Sequence, residues 1–216
     1  MTKPRFDLGV YLVTDPVMTA GRGIGAIVRA AVAGGVTMVQ LRDKQASDAV
    51  LIEIARGLKH MLAGTGVPLI INDRLAVAQA VDADGVHLGQ DDVSPRRARE
   101  MLGPDVIIGL SVSSPAEIAR LDPVDADYAG LGPIFATMTK GDAGEALGVT
   151  GFAALRASIA VPVVAIGGVN ADNAHSAFAA GADGVAVVSA ICAAADPQAA
   201  AARLLDIARA ARNGAR

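Results

Sequence analysis

One pattern recurs along this chain and restricts its possible folds more than any other feature. A short apolar run ends in polar residues, a segment with helical spacing follows, and the sequence turns apolar again. The apolar runs fall at residues 8–15, 36–42, 69–73, 85–92, 106–111, 128–132, 161–168 and 184–189. They are too uniformly apolar for strands that keep one face in water, so each reads as a strand of a parallel sheet covered on both sides. Helical spacing is clearest at residues 24–33, 47–63 and 197–211, with Gly34-Gly35 and Gly66-Val67-Pro68 as breaks. Eight such units, repeating every roughly 20 to 30 residues, predict an α/β fold in which residues 1–216 form a single (β/α)8 TIM barrel; a doubly wound open sheet is the alternative. Ala83-Asp84-Gly85-Val86 and Ala182-Asp183-Gly184-Val185 stand at the same place before two of the strands, which supports repetition. No linker rich in Pro, Gly or Ser divides the chain.

Composition excludes several classes of protein. With 52% hydrophobic and 19% charged residues, the chain carries far too much apolar surface to remain disordered. A net charge of −3 provides no general attraction to nucleic acid or anionic lipid, so any phosphate binding must come from a few placed residues. Cys192 is the only cysteine, which rules out an internal disulfide and points to a reducing cytoplasm. The apolar run after residues 1–5 is short and broken by Asp15-Pro16, so neither a signal peptide nor a membrane span is expected there. The most apolar long stretch, residues 177–195, is interrupted by Gly181, Asp183 and Gly184 and reads as buried core.

In a barrel of this kind the chemistry sits at the carboxyl ends of the strands, where residues far apart in sequence converge. Those ends supply Gln40, Arg42, Lys44, Asn72, Asp73, Asp92, Ser111, Thr137, Thr139, Lys140, Gly167, Gly168 and Ser189. Asp73 and Asp92 leave adjacent strands, and one or two carboxylates completed by phosphate oxygens and water are a usual way to hold Mg²⁺. Asp91 is the rival of Asp92, and helix N-capping is the competing role for both members of the pair. Arg42, Lys44 and Lys140 are suited to share a diphosphate with that metal. Residues 131–142 run from an apolar strand into Thr137, Thr139 and Lys140, all hydrogen-bond donors, and so read as an anion-binding loop. The Gly167-Gly168 and Val188-Ser189 turns follow the seventh and eighth strands, where barrels often bind phosphate through backbone N–H groups.

Other chemistries fit less well. His60, His87 and His175 lack metal-ligand spacing, and His87 within an apolar run reads as a satisfied core residue. Gly109-Leu110-Ser111-Val112-Ser113 lacks the last glycine of a nucleophile elbow, and Gly21-Arg22-Gly23-Ile24-Gly25 has the wrong spacing for a dinucleotide fingerprint. Cys192, in an alanine-rich stretch, suits a structural role.

Taken together, Tyr11-Leu12-Val13-Thr14-Asp15, Val39-Gln40-Leu41-Arg42-Asp43-Lys44, Ile71-Asn72-Asp73, Val86-His87-Leu88-Gly89-Gln90-Asp91-Asp92, Gly132-Pro133-Ile134-Phe135, Thr137-Met138-Thr139-Lys140 and Ala165-Ile166-Gly167-Gly168-Val169 resemble the thiamine-phosphate synthase family. The resemblance runs in order from about residue 11 to residue 191. It implies a Mg²⁺-dependent transferase that couples a hydroxymethylpyrimidine diphosphate to a thiazole phosphate, releasing diphosphate. By that resemblance Gln40, Arg42, Lys44, Asn72, Ser111 and Lys140 bind the pyrimidine diphosphate, with Arg42, Lys44 and Lys140 stabilising the leaving group. Asp73 and Asp92 hold Mg²⁺, Thr137 and Thr139 face the thiazole phosphate, and Gly168, Val188 and Ser189 hold its phosphate group. The implied partners are these small molecules and a second copy of the chain in a homodimer, without nucleic acid or membrane. One departure is Ala136, where the family often has proline; it frees φ but removes no donor. A thiazole tautomerase on the same barrel and a non-catalytic phosphate-ligand sensor are the alternative functions.

Overall fold

The computed structural model describes residues 6–137 and 144–214. In chain order its elements are β1 (Val10–Val13), α1 (Pro16–Thr19), α2 (Ile24–Ala33), β2 (Met38–Leu41), α3 (Asp48–Leu62), β3 (Leu69–Asn72), α4 (Leu75–Val81), β4 (Gly85–Leu88) and α5 (Pro95–Leu102). There follow β5 (Ile107–Val112), α6 (Pro115–Ile118), β6 (Tyr128–Leu131), α7 (Gly148–Arg156), β7 (Val163–Ile166), α8 (Ala174–Ala179), β8 (Gly184–Val187), α9 (Ser189–Cys192) and α10 (Pro197–Gly214). The strands pair in sequence order, all parallel, and β1 pairs with β8 to close the barrel. That closing pair, with Tyr11 opposite Ala186, excludes the open-sheet alternative. Among the described residues no helix is long and apolar enough to cross a membrane.

The strands are shorter than the apolar runs that announce them, because the flanking residues leave the ladder for turns. Asn72 and Ser111 are exceptions and lie within β3 and β5. Helices start where local chemistry satisfies their first N–H groups. Ser94 and Ser114 each accept from the backbone N–H three residues on, and each is followed by a proline that has no N–H to satisfy. The one-turn helices α1, α6 and α9 escape a periodicity reading because four residues are too few to show a period.

Two apolar layers result. One lies between the strands and the surrounding helices, where Leu12, Val39, Leu69 and Val185 meet Ile27, Leu51, Leu58 and Leu204. The other fills the barrel with Tyr11, Met38, Ile70, Ile107, Tyr128, Val164 and Ala186. Gly109 makes room for the Tyr128 ring, which a side chain at that position would strike. Residues 177–195 are core as expected: Cys192 is fully buried, its Sγ lies 3.7 Å from the Val13 carbonyl, and burial pushes its thiol up to about 11.

The repeated Ala-Asp pair has a mechanical role at the amino ends of the strands. Asp84 Oδ2 accepts from Leu69 N (2.8 Å), and Asp183 Oδ2 accepts from Val163 N (2.7 Å). The main-chain N–H groups of these aspartates donate to the carbonyls of the same two residues. Asp127, before β6, makes the same clip on Ile108 with Oδ2 (2.8 Å), a third copy hidden in the sequence by Tyr128 standing where the others have glycine. Arg99 from α5 reaches Asp127 Oδ2 at 2.7 Å, and Arg156 from α7 reaches Asp183 Oδ2 at 3.1 Å. These clips set the strand register opposite the end that carries the cleft.

Candidate active site

A cleft of about 320 Å³ opens at the carboxyl ends of the strands, large enough for a small-molecule ligand. Its walls include Arg42 and Lys44 after β2, Asn72 and Asp73 at β3, Asp91 and Asp92 after β4, and Ser111 in β5. Thr137 after β6, Gly167 and Gly168 after β7, and Val188 and Ser189 after β8 complete it. Gln40 stands apart. It is only 3% exposed, and its Nε2 donates to Tyr11 Oη at 2.6 Å inside the barrel. Thr139 and Lys140 lie outside the described residues, so the anion-binding loop can be followed only as far as Thr137.

The carboxylates do not cap helices. Ser94 is the N-cap of α5, and α4 begins after Arg74 without a side-chain cap. Instead Asp92 Oδ2 accepts from Gly89 N at 2.6 Å, which turns the loop after β4 back on itself. Asp73 occupies a left-handed backbone position (φ 59°), which aspartate tolerates better than most residues. Its N–H donates to the His87 carbonyl (3.0 Å), tying the turn to β4. Burial, followed by the neighbouring Asp92 carboxylate, pushes Asp73 up to about 6, although Lys44 Nζ at 3.9 Å pulls the other way. The partner that raises it is Asp92, not Asp91.

Two acids that resist joint ionisation fit a divalent cation, which would relieve their repulsion. Among the described residues no group of three or more His, Cys, Asp or Glu could hold a metal. The pair therefore suits a hard ion that draws its remaining ligands from water and phosphate oxygens.

The cationic wall is held from behind. Arg74 pairs with Asp48 at the start of α3, and its Nη2 donates to the Lys44 and Ala46 carbonyls, each at 3.4 Å. Asp43 Oδ1 accepts from Gln45 N (2.9 Å) and Ala46 N (3.1 Å), closing an Asx turn beneath Lys44. Thr14 Oγ1 accepts from Arg42 N at 3.0 Å.

Across the cleft, Gly167 and Gly168 both take positive φ, 95° and 66°. A side chain at Gly168 would press on the Ala136 carbonyl and on Phe135, so this turn also seats the β6 loop. Asn173 Nδ2 holds the Gly168 carbonyl at 2.9 Å. Gly168→Ala should therefore lose about 2 kcal/mol of unfolding free energy, measurable as a lower urea midpoint.

Sequence reasoning did not assign Gln90, Ser113 or Glu117 to the wall. Gln90 Nε2 donates to the Ser111 carbonyl (2.7 Å), while Glu117 Oε2 accepts from Ser113 N (2.6 Å) and Ser113 Oγ (3.0 Å). Glu117 sits in a one-turn helix that no periodicity announces. His87 is a satisfied buried residue, as expected, with Nδ1 2.9 Å from Tyr128 Oη and Nε2 2.8 Å from Ser111 Oγ; it nevertheless forms part of the cleft floor. Its position on the inward face of β4 was the available signal.

Fold and cleft define a (β/α)8 barrel enzyme with a polar site at the carboxyl ends of its strands. Residues 10–191 match the family model described as thiamine monophosphate synthase. A thiamine-phosphate synthase from Azorhizobium caulinodans is 56% identical over 202 residues, covering 94% of this chain and 95% of the relative. One from Xanthobacter autotrophicus is 56% identical over 204 residues, covering 94% and 96%. The solved thiamine phosphate pyrophosphorylase from Pyrococcus furiosus superposes with a TM-score of 0.86 at 37% identity, covering 94% of this chain and 96% of that one. The chain belongs to the thiamine monophosphate synthase family.

Proposed function

We propose that the chain couples 4-amino-2-methyl-5-hydroxymethylpyrimidine diphosphate to a thiazole phosphate, giving thiamine phosphate and diphosphate with the help of Mg²⁺. The observation that carries this reading is a single cleft with two unlike ends. At one end Asp73 and Asp92 stand beside Arg42 and Lys44; at the other, the Gly167-Gly168 turn stands beside Val188 and Ser189. The first suits a metal-bound diphosphate, the second a phosphate monoester held by backbone N–H groups.

In this reading the bond between the pyrimidine methylene carbon and the diphosphate oxygen breaks, and the oxygen keeps the electron pair. The aminopyrimidine ring stabilises the resulting cation, and the thiazole nitrogen then closes the new C–N bond. No proton transfer is required at the reacting atoms. Asp73 and Asp92 would hold Mg²⁺, whose charge would offset that of the departing diphosphate. Arg42 and Lys44 add fixed positive charge at the same end, Asn72 and Ser111 contact the pyrimidine diphosphate, and Gly168, Val188 and Ser189 hold the thiazole phosphate. Thr137 faces the thiazole side; the roles of Gln40, Thr139 and Lys140 in substrate binding rest on the family resemblance. The paired carboxylates favour coupling over isomerisation of a thiazole carboxylate, which needs proton transfer and no metal clamp. A cytoplasmic homodimer completes the reading, with sedimentation at twice the chain mass as its check.

The decisive assay mixes both substrates with and without Mg²⁺ and measures thiamine phosphate. Product should form only with the metal. Absence of product with magnesium present would overturn the proposal.

A further inference from the structure

A continuous hydrogen-bonded chain crosses the barrel beneath the cleft. Gln40 Nε2 donates to Tyr11 Oη (2.6 Å), Tyr11 Oη meets Tyr128 Oη (2.9 Å), Tyr128 Oη meets His87 Nδ1 (2.9 Å), and His87 Nε2 meets Ser111 Oγ (2.8 Å). It joins β2, β1, β6, β4 and β5 in that order. Tyr11 and Tyr128 are at most 1% exposed and His87 is 8% exposed, so bulk water does not scramble the links. Burial pushes both phenols upward from their ordinary range, so each keeps its single proton at neutral pH.

With Gln40 Nε2 as the donor and every buried hydroxyl donating once, the direction of every link is set. Tyr11 Oη receives a proton from Gln40, so its own goes to Tyr128 Oη. Tyr128 must then give its proton to His87 Nδ1. An imidazole that accepts at Nδ1 carries its proton on Nε2 and donates it to Ser111 Oγ. The Ser111 hydroxyl is left to donate into the cleft whose wall it forms. At the other end Gln40 closes the chain as a donor. Turning its carboxamide over would reverse every link and exchange donor for acceptor at both ends. The orientation in which Nε2 donates to Tyr11 Oη gives the direction drawn here, and the His87 tautomer reports it.

We infer that Tyr11, Tyr128 and His87 are positioning residues that lock Ser111 into one polarity, as a donor toward the substrate ring. The inference rests on the proposed function for the identity of that ring. An aminopyrimidine is the complement of that donor: a ring nitrogen accepts from the Ser111 hydroxyl. The 4-oxo analogue carries an N–H in the ring instead, and the locked chain leaves donor facing donor. A site whose buried polar groups are ordered in this way rejects such a mismatch strongly.

The test has two parts. In the free protein, the ¹⁵N resonances of His87 should show Nε2 protonated and Nδ1 bare; the opposite tautomer would overturn the inference. In the second part, kcat/KM is measured for the 4-amino and 4-oxo pyrimidine diphosphates in the native protein and in Tyr128→Phe, with Tyr11→Phe as a second variant in case the first folds poorly. The intrinsic reactivity of each ring cancels in the ratio of ratios. Preference for the amino substrate should fall at least about tenfold in either variant. Loss of rate on both substrates with the preference unchanged is what a merely structural role gives, and it would overturn the inference. No coupling in the native protein would refute the proposed function, while the tautomer measurement would still decide the direction of the chain.

Discussion

Asp73→Asn should lower turnover on the order of a hundredfold, the usual cost of losing one group that stabilises transition-state charge, and at the same time make the metal-free protein more stable. Asparagine tolerates the left-handed backbone that position 73 requires, so the substitution removes charge without new strain. The sign of the stability effect follows from the shift. Asp73 is raised from 3.8 to about 6 in the folded chain, so between those values the folded state binds more protons than the unfolded state. Stability from this group is therefore lost as pH rises through that window, and the loss is complete above pH 6. With solvent screening at a partly exposed site, the gain in Asp73→Asn should be on the order of 1 kcal/mol at pH 7.5, shrinking toward zero near pH 4. Urea titrations of both proteins at the two pH values measure it. Equal stability at pH 7.5 would show that the two carboxylates do not repel, and normal turnover would remove Asp73 from the site. With Mg²⁺ held by this pair as proposed, a proton would compete for it below pH 6, so apparent Mg²⁺ affinity should weaken there by up to about tenfold per pH unit.

Asp127→Ala should have the largest effect on stability. Its side chain is 1% exposed, bonded to Ile108 N at 2.8 Å and paired with Arg99 Nη2 at 2.7 Å. Removing it leaves a buried backbone donor and a largely buried guanidinium without their acceptor, which typically costs about 3 to 5 kcal/mol. Arg99 also donates to the Gly103, Pro104 and Val106 carbonyls, so it cannot swing out to water without giving up those bonds. Chemical denaturation gives the magnitude, and a loss below about 1 kcal/mol, ordinary for an exposed pair, would mean that solvent reaches the clip. Asp84→Ala should cost less, because its carboxylate serves the Leu69 N–H and, among the described residues, pairs with no arginine.

The barrel could be read from the sequence because its strands are covered on both faces, and that leaves uninterrupted apolar runs at each of eight places. Asp73, Asp92, Arg42, Lys44 and Gly168 could be named for a related reason: when strands end at a shared rim, a polar residue just beyond an apolar run belongs to that rim. Glu117 gave no such sign. It is placed by two bonds from Ser113, and such bonds have no sequence period.

Gln40 and His87 show where sequence reading stops. Gln40 was legible as a strand-end residue and His87 as a satisfied core residue, but neither reading says what faces them across the barrel. Tyr11 meets Gln40 and Tyr128 meets His87 only because closure brings β1, β2, β4 and β6 around one interior. The sequence alone determined the number of units, the end of the barrel that carries the polar residues, and their chemical types, since these depend on local period and composition. Tertiary structure decided which carboxylate is raised, which cation lies beside it, and how the buried hydroxyls and imidazole are linked. Those outcomes depend on distances between residues as far apart as Tyr11 and Tyr128, which only the closed barrel fixes.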